Sequence, residues 1–478
     1  MTRFLKKAWE WFDARTDASK VIGPIMRHPV PPRTGWMYVF GSATLFAFLI
    51  QVFTGIALAT AYVSSAGQAY DSLKWISDRA FLGHLLRGMH YFGASAMVLL
   101  VGIHMIRTFL TGSYKFPREL NWVVGVILLG LTILMGFTGQ LLRWDQNGVW
   151  STIVAAEQAG RVPIIGPWLA RLLMGGQTVG GATLSRFFAY HVFFIPAMIF
   201  GMVALHLGLV LRHGISEKPR ASHPVDPKTY RAWYEDMLHR EGVPFWPDAA
   251  WRDVVFGVFV VACVVFLAWY IGPPQLTTPP DPTIIQAYPR PDWYLLWYFA
   301  VLAQLPHGSE DYVIVGAPAL AGVCLLILPL VFNRGQRAPS RRPWAVASIV
   351  VIVTAVLVLW LQGVRAPWSP DFKNKPLPAE VVHAASAQIA EGARLFHTHG
   401  CEDCHSIAGY GGHRGPDLTT VADRMNDQQL TLRILNGAKN MPAFANSLQP
   451  SQLNSLVAFL RTRHMAGQTA SASASGAP

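Results

Sequence analysis

The sequence predicts an all-α protein: seven membrane-spanning helices followed by a small soluble all-α domain. Three observations carry this. The 478 residues are 52% hydrophobic and only 14% charged, and mean hydropathy is +0.31, a polytopic membrane composition. Seven apolar runs are each long enough to cross a ~30 Å hydrocarbon layer. Past the last run the chain turns polar and amphipathic.

The spans are expected at Trp36–Val63, Leu82–Thr108, Trp122–Leu142, Leu184–Leu211, Val254–Ile271, Val313–Phe332 and Trp344–Leu361. The net charge of +12 does not point to nucleic acid, because Lys and Arg sit in short loops between the spans. Alternate segments hold 20 of these residues on one side and 6 on the other. The positive-inside rule then puts the N-terminus in the cytoplasm and everything after Trp360 outside. Met1–Pro32 is basic and mixed, with no short apolar core before a small-residue cleavage site, so no cleavable signal peptide is expected.

The second span carries His90 and His104, fourteen residues apart. At ~100° per residue they return to nearly one face, ~21 Å apart along the axis. The fourth span answers with His191 and His206, fifteen apart. Intramembrane ionisable groups are costly. Two matched pairs suggest two stacked bis-histidine haems, His90 with His191 near the outer face and His104 with His206 near the inner; packed polar groups are the alternative. Gly41 and Gly55 in the first span, and Gly125 and Gly139 in the third, repeat the interval of fourteen. They would admit a flat macrocycle, or serve ordinary small-residue packing. Arg87 and Arg107, each three residues from a ligand, suit haem propionates or snorkelling at helix ends.

After the fifth span comes an outer segment rich in proline and aromatics. Pro291-Asp292-Trp293-Tyr294 sets a carboxylate among belt-type aromatics at the membrane edge. Asp292 and Tyr294 are the candidates for proton chemistry there, with an N-cap role for Asp292 as the alternative. Residues 365–382 form a proline-rich linker. Cys401-Glu-Asp-Cys404-His405 is a c-type haem attachment motif, with His405 as proximal ligand. Met441 in Asn-Met-Pro-Ala-Phe is the expected distal ligand, ahead of Met465 and Met425. Ser386–His399 and Ser451–Arg463 read as this domain's packing helices. Cys263 and Cys324 read as buried packing residues.

These residues resemble the cytochrome b of Rieske/cytochrome b complexes. VPP at Val30–Pro32, GSYKFPREL at Gly112–Leu120, RWDQNGVW at Arg143–Trp150, TLSRFFAYH at Thr183–His191 and GIS at Gly214–Ser216 are similar to the short plastid-type branch, as is the His191–His206 spacing. Residues 244–363 resemble the three-helix partner subunit of that branch, fused on, although PFWPDAAWRD at Pro244–Asp253 is nearer the mitochondrial pattern. The C-terminal domain resembles small monohaem cytochromes c. The resemblance implies a cytoplasmic segment 1–34, a four-helix di-haem bundle 35–215 and a three-helix region 216–364 with the quinol loop. A linker 365–382, a cytochrome c domain 383–465 and a disordered tail 466–478 follow.

The resemblance also implies two non-covalent haems b, one covalent haem c on Cys401 and Cys404, and quinol oxidation coupled to proton translocation. One electron is expected to pass to a separate Rieske iron–sulfur protein and on to haem c, the other through the two b haems to a quinone near the cytoplasm. The outer-site wall is expected from Trp150–Ala156 with Pro291–Tyr294, Pro291 and Trp293 included. Asp253 and Arg212 are inner-quinone candidates, or cytoplasmic surface charges. A downstream cytochrome or oxidase, a homodimeric complex and a bacterial cytoplasmic membrane complete the expectation, with the cytochrome c domain periplasmic. The sequence departs from the family twice. Pro-Asp-Trp-Tyr replaces the usual Pro-Glu-Trp-Tyr, and Val39 stands where the plastid branch attaches an extra haem through cysteine. The rivals are a haem-b membrane anchor of a dehydrogenase and a non-enzymatic redox sensor.

Overall fold

The computed structural model describes residues 2–281, 289–306, 309–366, 368–369, 374–437, 441 and 443–464. The tail expected at 466–478, Met465 and linker residues 367 and 370–373 lie outside the described residues.

Two amphipathic helices open the chain, α1 (Thr2–Thr16) and α2 (Ala18–Met26), and β1 (Pro29–Val30) follows. Then come α3 (Phe40–Ala59), the short α4 (Ala69–Asp78), α5 (Gly83–Leu110) and α6 (Glu119–Leu141). A helical hairpin, α7 (Gln146–Gly160) and α8 (Gly166–Met174), precedes α9 (Gly181–Ala189), which runs through a π turn at Tyr190–Phe194 into α10 (Ile195–His213). Next are α11 (Tyr230–Glu241), β2 (Val243–Pro244), α12 (Ala250–Tyr270), α13 (Leu296–Gln304), α14 (Ala317–Val331) and α15 (Pro343–Arg365). β1 and β2 pair antiparallel, Val30 opposite Val243. Among the described residues, seven helical runs are long and apolar enough to cross a membrane: 40–59, 83–110, 119–141, 181–213, 245–270, 312–331 and 343–365. All seven expected spans are there. The fifth starts about nine residues earlier than expected, because Phe245–Ala249 forms a π turn feeding α12.

The contacts divide the chain into two compact units, Met1–Leu295 with Gln304–Val358, and Leu296–Ala303 with Leu359–Pro478. In the first, α3 packs along α5 and α6 along α10, with α12 against α3 and α5. Ala43, Ala47, Phe48, Met97, Leu100, Leu131, Ile195, Ile199 and Val260 form its central apolar cluster. Small residues set the closest approaches. A Cβ on Gly88 of α5 would meet Ala268 of α12 at 3.0 Å.

Four of the cations counted above as topology charges are buried. Lys115, Arg118, Arg337 and Arg342 are 2–6% exposed. They bond carbonyls at helix C-terminal ends, where the helix dipole favours positive charge. Arg342 donates to Phe109 O (2.8 Å) and Leu110 O (3.1 Å) at the end of α5, Arg118 Nε to Gly214 O (2.8 Å) after α10, and Lys115 to Phe332 O (2.7 Å) after α14. Arg337 forms an ion pair with Glu217, whose other carboxylate oxygen accepts the Tyr230 hydroxyl at 2.6 Å.

In the second unit, α16 (Ala379–Val382), α17 (Ala387–Thr398), β3 (Ser406–Ile407), β4 (Tyr410–Gly411), α18 (Asp427–Asn436) and α19 (Pro450–Arg461) build the soluble domain. Ser386 caps α17 through Ile389 N at 3.3 Å. α17 and α19 cross at Gly392, where a Cβ would lie 2.1 Å from Ser455 O. Leu395, Phe396, Leu456 and Phe459 fill the core beside this crossing. The domain was expected to hold two packing helices; α18 is a third, opened by an Asn426/Gln429 capping box.

Candidate functional site

The four membrane histidines meet as two pairs. The His90 and His191 rings are 6.1 Å apart between centroids, and those of His104 and His206 6.5 Å. A metal with an imidazole nitrogen at about 2.0 Å on each side holds ring centroids about 6 Å apart. Among the described residues no three His, Cys, Asp or Glu gather at one point. Each pair could therefore hold a metal between two imidazoles, as the iron of a haem can be held.

The fifteen-residue interval on the fourth span has a physical cause. His191 lies in the π turn Tyr190–Phe194, which takes up one extra residue. Fifteen residues there do the work of fourteen on α5, so both pairs close.

The four glycines each face a ligand ring. A Cβ built on Gly139 would lie 2.7 Å from His191, on Gly41 3.1 Å from His104, on Gly55 3.3 Å from His90 and on Gly125 3.8 Å from His206. This is a cradle that side chains would fill, and its donor set fits haem.

Two residues unread in the sequence complete the first pair. Thr54 Oγ1 lies 2.9 Å from His90 Nδ1, and Thr138 Oγ1 3.1 Å from His191 Nδ1. Holding Nδ1 would leave Nε2 free for a metal between the two rings. The available signal was the doublet Thr-Gly, at 54–55 and 138–139; Phe-Gly and Val-Gly stand at 40–41 and 124–125.

The two arginines differ. Arg87 is bonded within the protein, to Ser77 Oγ (2.9 Å) and Pro274 O (2.7 Å). Arg107 stacks on the Tyr38 ring at 3.8 Å, and its buried Nε and Nη2 find no hydrogen-bond partner among the described residues. Orphaned buried guanidinium nitrogens suit an anionic group such as a propionate.

The Pro291–Tyr294 segment is half-buried. Tyr294 Oη donates to Asp292 Oδ2 at 3.3 Å, and Trp293 Nε1 donates to Ser95 Oγ at 3.2 Å on α5. The Tyr294 hydroxyl sits where only glycine is tolerated opposite, 2.2 Å from a Cβ built on Gly136. Asp292 opens a 3-10 turn through its backbone carbonyl, while α13 begins later, at Leu296. Burial pushes the Asp292 carboxyl above its ordinary range, against the opposing pull of the Tyr294 hydroxyl and Arg143. Burial and Asp292 likewise push the Tyr294 hydroxyl up.

The RWDQN turn after α6 steadies this segment. Asp145, fully buried, caps α7 through Gly148 N (2.9 Å), pairs with Arg143 (2.6 Å) and accepts Thr277 N (3.0 Å). Asn147 Oδ1 accepts Arg290 N at 3.3 Å. Trp150 is half-buried on α7.

Near the second pair, Asp253 accepts the Ser42 hydroxyl at 2.7 Å, one residue from Gly41. Arg212 is exposed on α10, and Val39 is 2% exposed.

In the soluble domain Cys401 opens a 3-10 turn, and His405 N donates to Cys401 O at 2.9 Å. His405 Nδ1 donates to Pro416 O at 2.8 Å, leaving Nε2 for a metal. A Cβ on Gly415 would lie 2.5 Å from this ring. Burial, with Glu402 and Asp403, pushes the Cys401 thiol up to about 12. Glu402, 1% exposed, meets His397 Nδ1 at 2.8 Å and accepts Leu377 N at 3.2 Å. Met441 is half-buried, and residues 438–440 and 442 beside it lie outside the described residues. Met425 packs against the domain core.

The chain is similar to known proteins over most of its length. Residues 95–280 match the family model "Cytochrome b(N-terminal)/b6/petB", 275–373 match "Cytochrome b(C-terminal)/b6/petD", and 387–460 match "Cytochrome C oxidase, cbb3-type, subunit III". The chain is 39% identical over 220 residues to the menaquinol:cytochrome c reductase cytochrome b subunit of Geobacillus thermodenitrificans, covering 44% of this chain and 98% of that one. It is 37% identical over 212 residues to cytochrome b6 of Synechococcus elongatus, covering 44% and 99%. A solved chain of a hyperthermophilic respiratory complex III matches with a TM-score of 0.64 at 27% identity, over 81% of this chain and 95% of that one.

Proposed function

The chain belongs to the cytochrome b family, and from that premise we propose that it is the quinol-oxidising subunit of a Rieske/cytochrome b complex, with its haem c acceptor fused to it. It is a multi-pass membrane protein with bacterial relatives, and it carries cytochrome b and cytochrome c domains. The observation that carries the reading is the double cradle: two facing imidazole pairs, each ring opposed by a glycine. Haem bound at these positions, and at His405, supplies one-electron transfer.

The residues then have these roles. His90 and His191 hold one haem b, His104 and His206 the other. Two ligand layers fourteen residues apart on α5 give redox positions at two depths of the membrane, as moving charge across it requires. Arg107 and Arg87 are the propionate candidates, Arg107 favoured by its unpartnered nitrogens. Cys401 and Cys404 tether haem c, with Met441 as its second axial ligand.

Quinol docks beside Pro291–Tyr294 and Trp150. Asp292 accepts a hydroxyl proton, and burial among aromatics raises its pKa toward the working range. Tyr294, bonded to Asp292, orients the carboxylate. Asp253 with Ser42, and Arg212, are the inner-quinone candidates. The substrate is a quinol, of which the menaquinol named for the Geobacillus relative is one. A separate Rieske protein, a downstream cytochrome or oxidase, a homodimeric assembly, a cytoplasmic N-terminus and a periplasmic haem c complete the proposal.

Asp292→Asn in the assembled complex tests it. Quinol turnover is expected to fall by about 10²–10⁴-fold, with haem content unchanged, and Asp292→Glu to keep substantial activity. Near-normal turnover in Asp292→Asn, in a fully assembled complex, would remove the carboxylate from the chemistry and leave Asp292 only a local structural role.

A further inference from the structure

The threonines beside the first pair do more than fill space. Thr54 donates its hydroxyl hydrogen to Ile50 O at 2.6 Å, one turn back on α3. Thr138 does the same to Leu134 O at 2.9 Å on α6. With its hydrogen committed, each hydroxyl oxygen can only accept from the imidazole 2.9 or 3.1 Å away. His90 and His191 therefore each carry their proton on Nδ1 and present a bare Nε2. The same construction occurs on two helices of different sequence, in the same register, one residue before the glycine that faces the ring.

The second pair lacks it. Phe40 and Val124 stand at the equivalent positions, and among the described residues no side-chain hydroxyl bonds the ring of His104 or His206. Nor does a backbone carbonyl stand in for it at His206, whose buried Nδ1 finds no hydrogen-bond partner among the described residues. At the ring nitrogens themselves, the hydroxyls are what distinguish the layers.

We propose that Thr54 and Thr138 are positioning residues that lower the reduction potential at the His90/His191 layer relative to the His104/His206 layer. An Nδ1–H held by an acceptor makes its imidazole a more basic ligand. A more basic ligand stabilises the oxidised, more positive iron, and hydrogen bonding to ligands is one of the levers by which a protein sets such potentials. An electron delivered at the first layer then runs downhill to the second. No further reactant is needed: one electron leaves one layer and arrives at the other, with no proton moved.

The inference rests on the reading that each pair holds a haem, and the test separates the two. The purified complex is titrated potentiometrically while the b-haem absorbance is followed, in wild type, Thr54→Val, Thr138→Val and the double variant. Valine keeps the shape and removes the hydroxyl. One of the two b-haem transitions is expected to rise, further in the double variant than in either single one, while the other stays. Thr54→Ser and Thr138→Ser, which keep the hydroxyl, are expected to titrate as wild type. If the double variant loses haem, the single variants carry the test. With both haems bound, unmoved transitions overturn the inference, and so does an equal shift of both, which would mark a general packing effect. Fewer than two b haems in the wild type would instead overturn the haem reading.

Discussion

The His90/His191 and His104/His206 layers share their plan and differ in their surroundings. Both set two imidazoles about 6 Å apart, each ring opposed by a glycine. The first adds a hydroxyl on each Nδ1 and an arginine, Arg87, already bonded to protein. Among the described residues the second has no such hydroxyl, and its arginine, Arg107, has two buried nitrogens without a hydrogen-bond partner. Beside the first stands a half-buried carboxylate bonded to a tyrosine; beside the second, a carboxylate bonded to a serine. If each cradle holds a haem, as proposed, one kind of group is held twice and each copy is given its own chemistry by neighbours outside the two imidazoles.

The glycines give the strongest way to break the comparison. Gly139→Ala places a Cβ 2.7 Å from His191, whereas Gly125→Ala places one 3.8 Å from His206, an ordinary contact. Overpacking of the first kind costs about 1–3 kcal/mol. Gly139→Ala is therefore expected to displace or lose the b haem of the first layer, and Gly125→Ala to keep both. Optical spectra of the purified variants check this.

A smaller effect sharpens the contrast between the carboxylates. Burial raises the Asp292 pKa, and Arg143 opposes that rise. Turnover is expected to fall as pH drops through this raised value, because the proton acceptor must be ionised. Removing the cation in Arg143→Gln raises the Asp292 pKa further, so the acid limb moves to higher pH; Arg143→Lys keeps it near wild type. Besides Arg143, the titratable neighbours of Asp292 are Tyr294 and Tyr91, and Arg143 itself pairs with Asp145. The pH profile of quinol turnover reads the result, and an unmoved limb in Arg143→Gln removes Arg143 from this role.

The arginines offer the smallest contrast. Arg107→Gln removes the guanidinium with orphaned nitrogens and is expected to shift the midpoint of the His104/His206 haem downward, since a nearby cation favours the reduced state. Arg87→Gln is expected to shift its own layer less, because Arg87 is engaged with Ser77 and Pro274. Potentiometric titration of the two variants compares them.

Much of this plan was legible before the fold was seen. Helical periodicity turns an interval of fourteen into one face, so His90 and His104, and the glycines opposite, could be read directly. What stayed hidden depends on three-dimensional context. A π turn has no residue signature, so the interval from His191 to His206 looked like a branch feature rather than a wound-in residue. Thr54 and Thr138 look like ordinary membrane threonines until the ring they accept from is in place. Lys115, Arg118, Arg337 and Arg342 looked like loop charges; their burial at the ends of α5, α10 and α14 follows from helix packing that no local pattern encodes. The short hairpin of α7 and α8 carries too little periodicity to stand out from a loop.

The central claim is that this single chain carries two non-covalent haems on its histidine pairs and one covalent haem on Cys401 and Cys404. Acid–acetone extraction of the purified protein, followed by haem quantitation in extract and pellet, measures it directly. The account predicts two extractable b haems and one haem retained on the polypeptide per chain. A second covalent haem on the membrane half, or a single extractable haem, would contradict it.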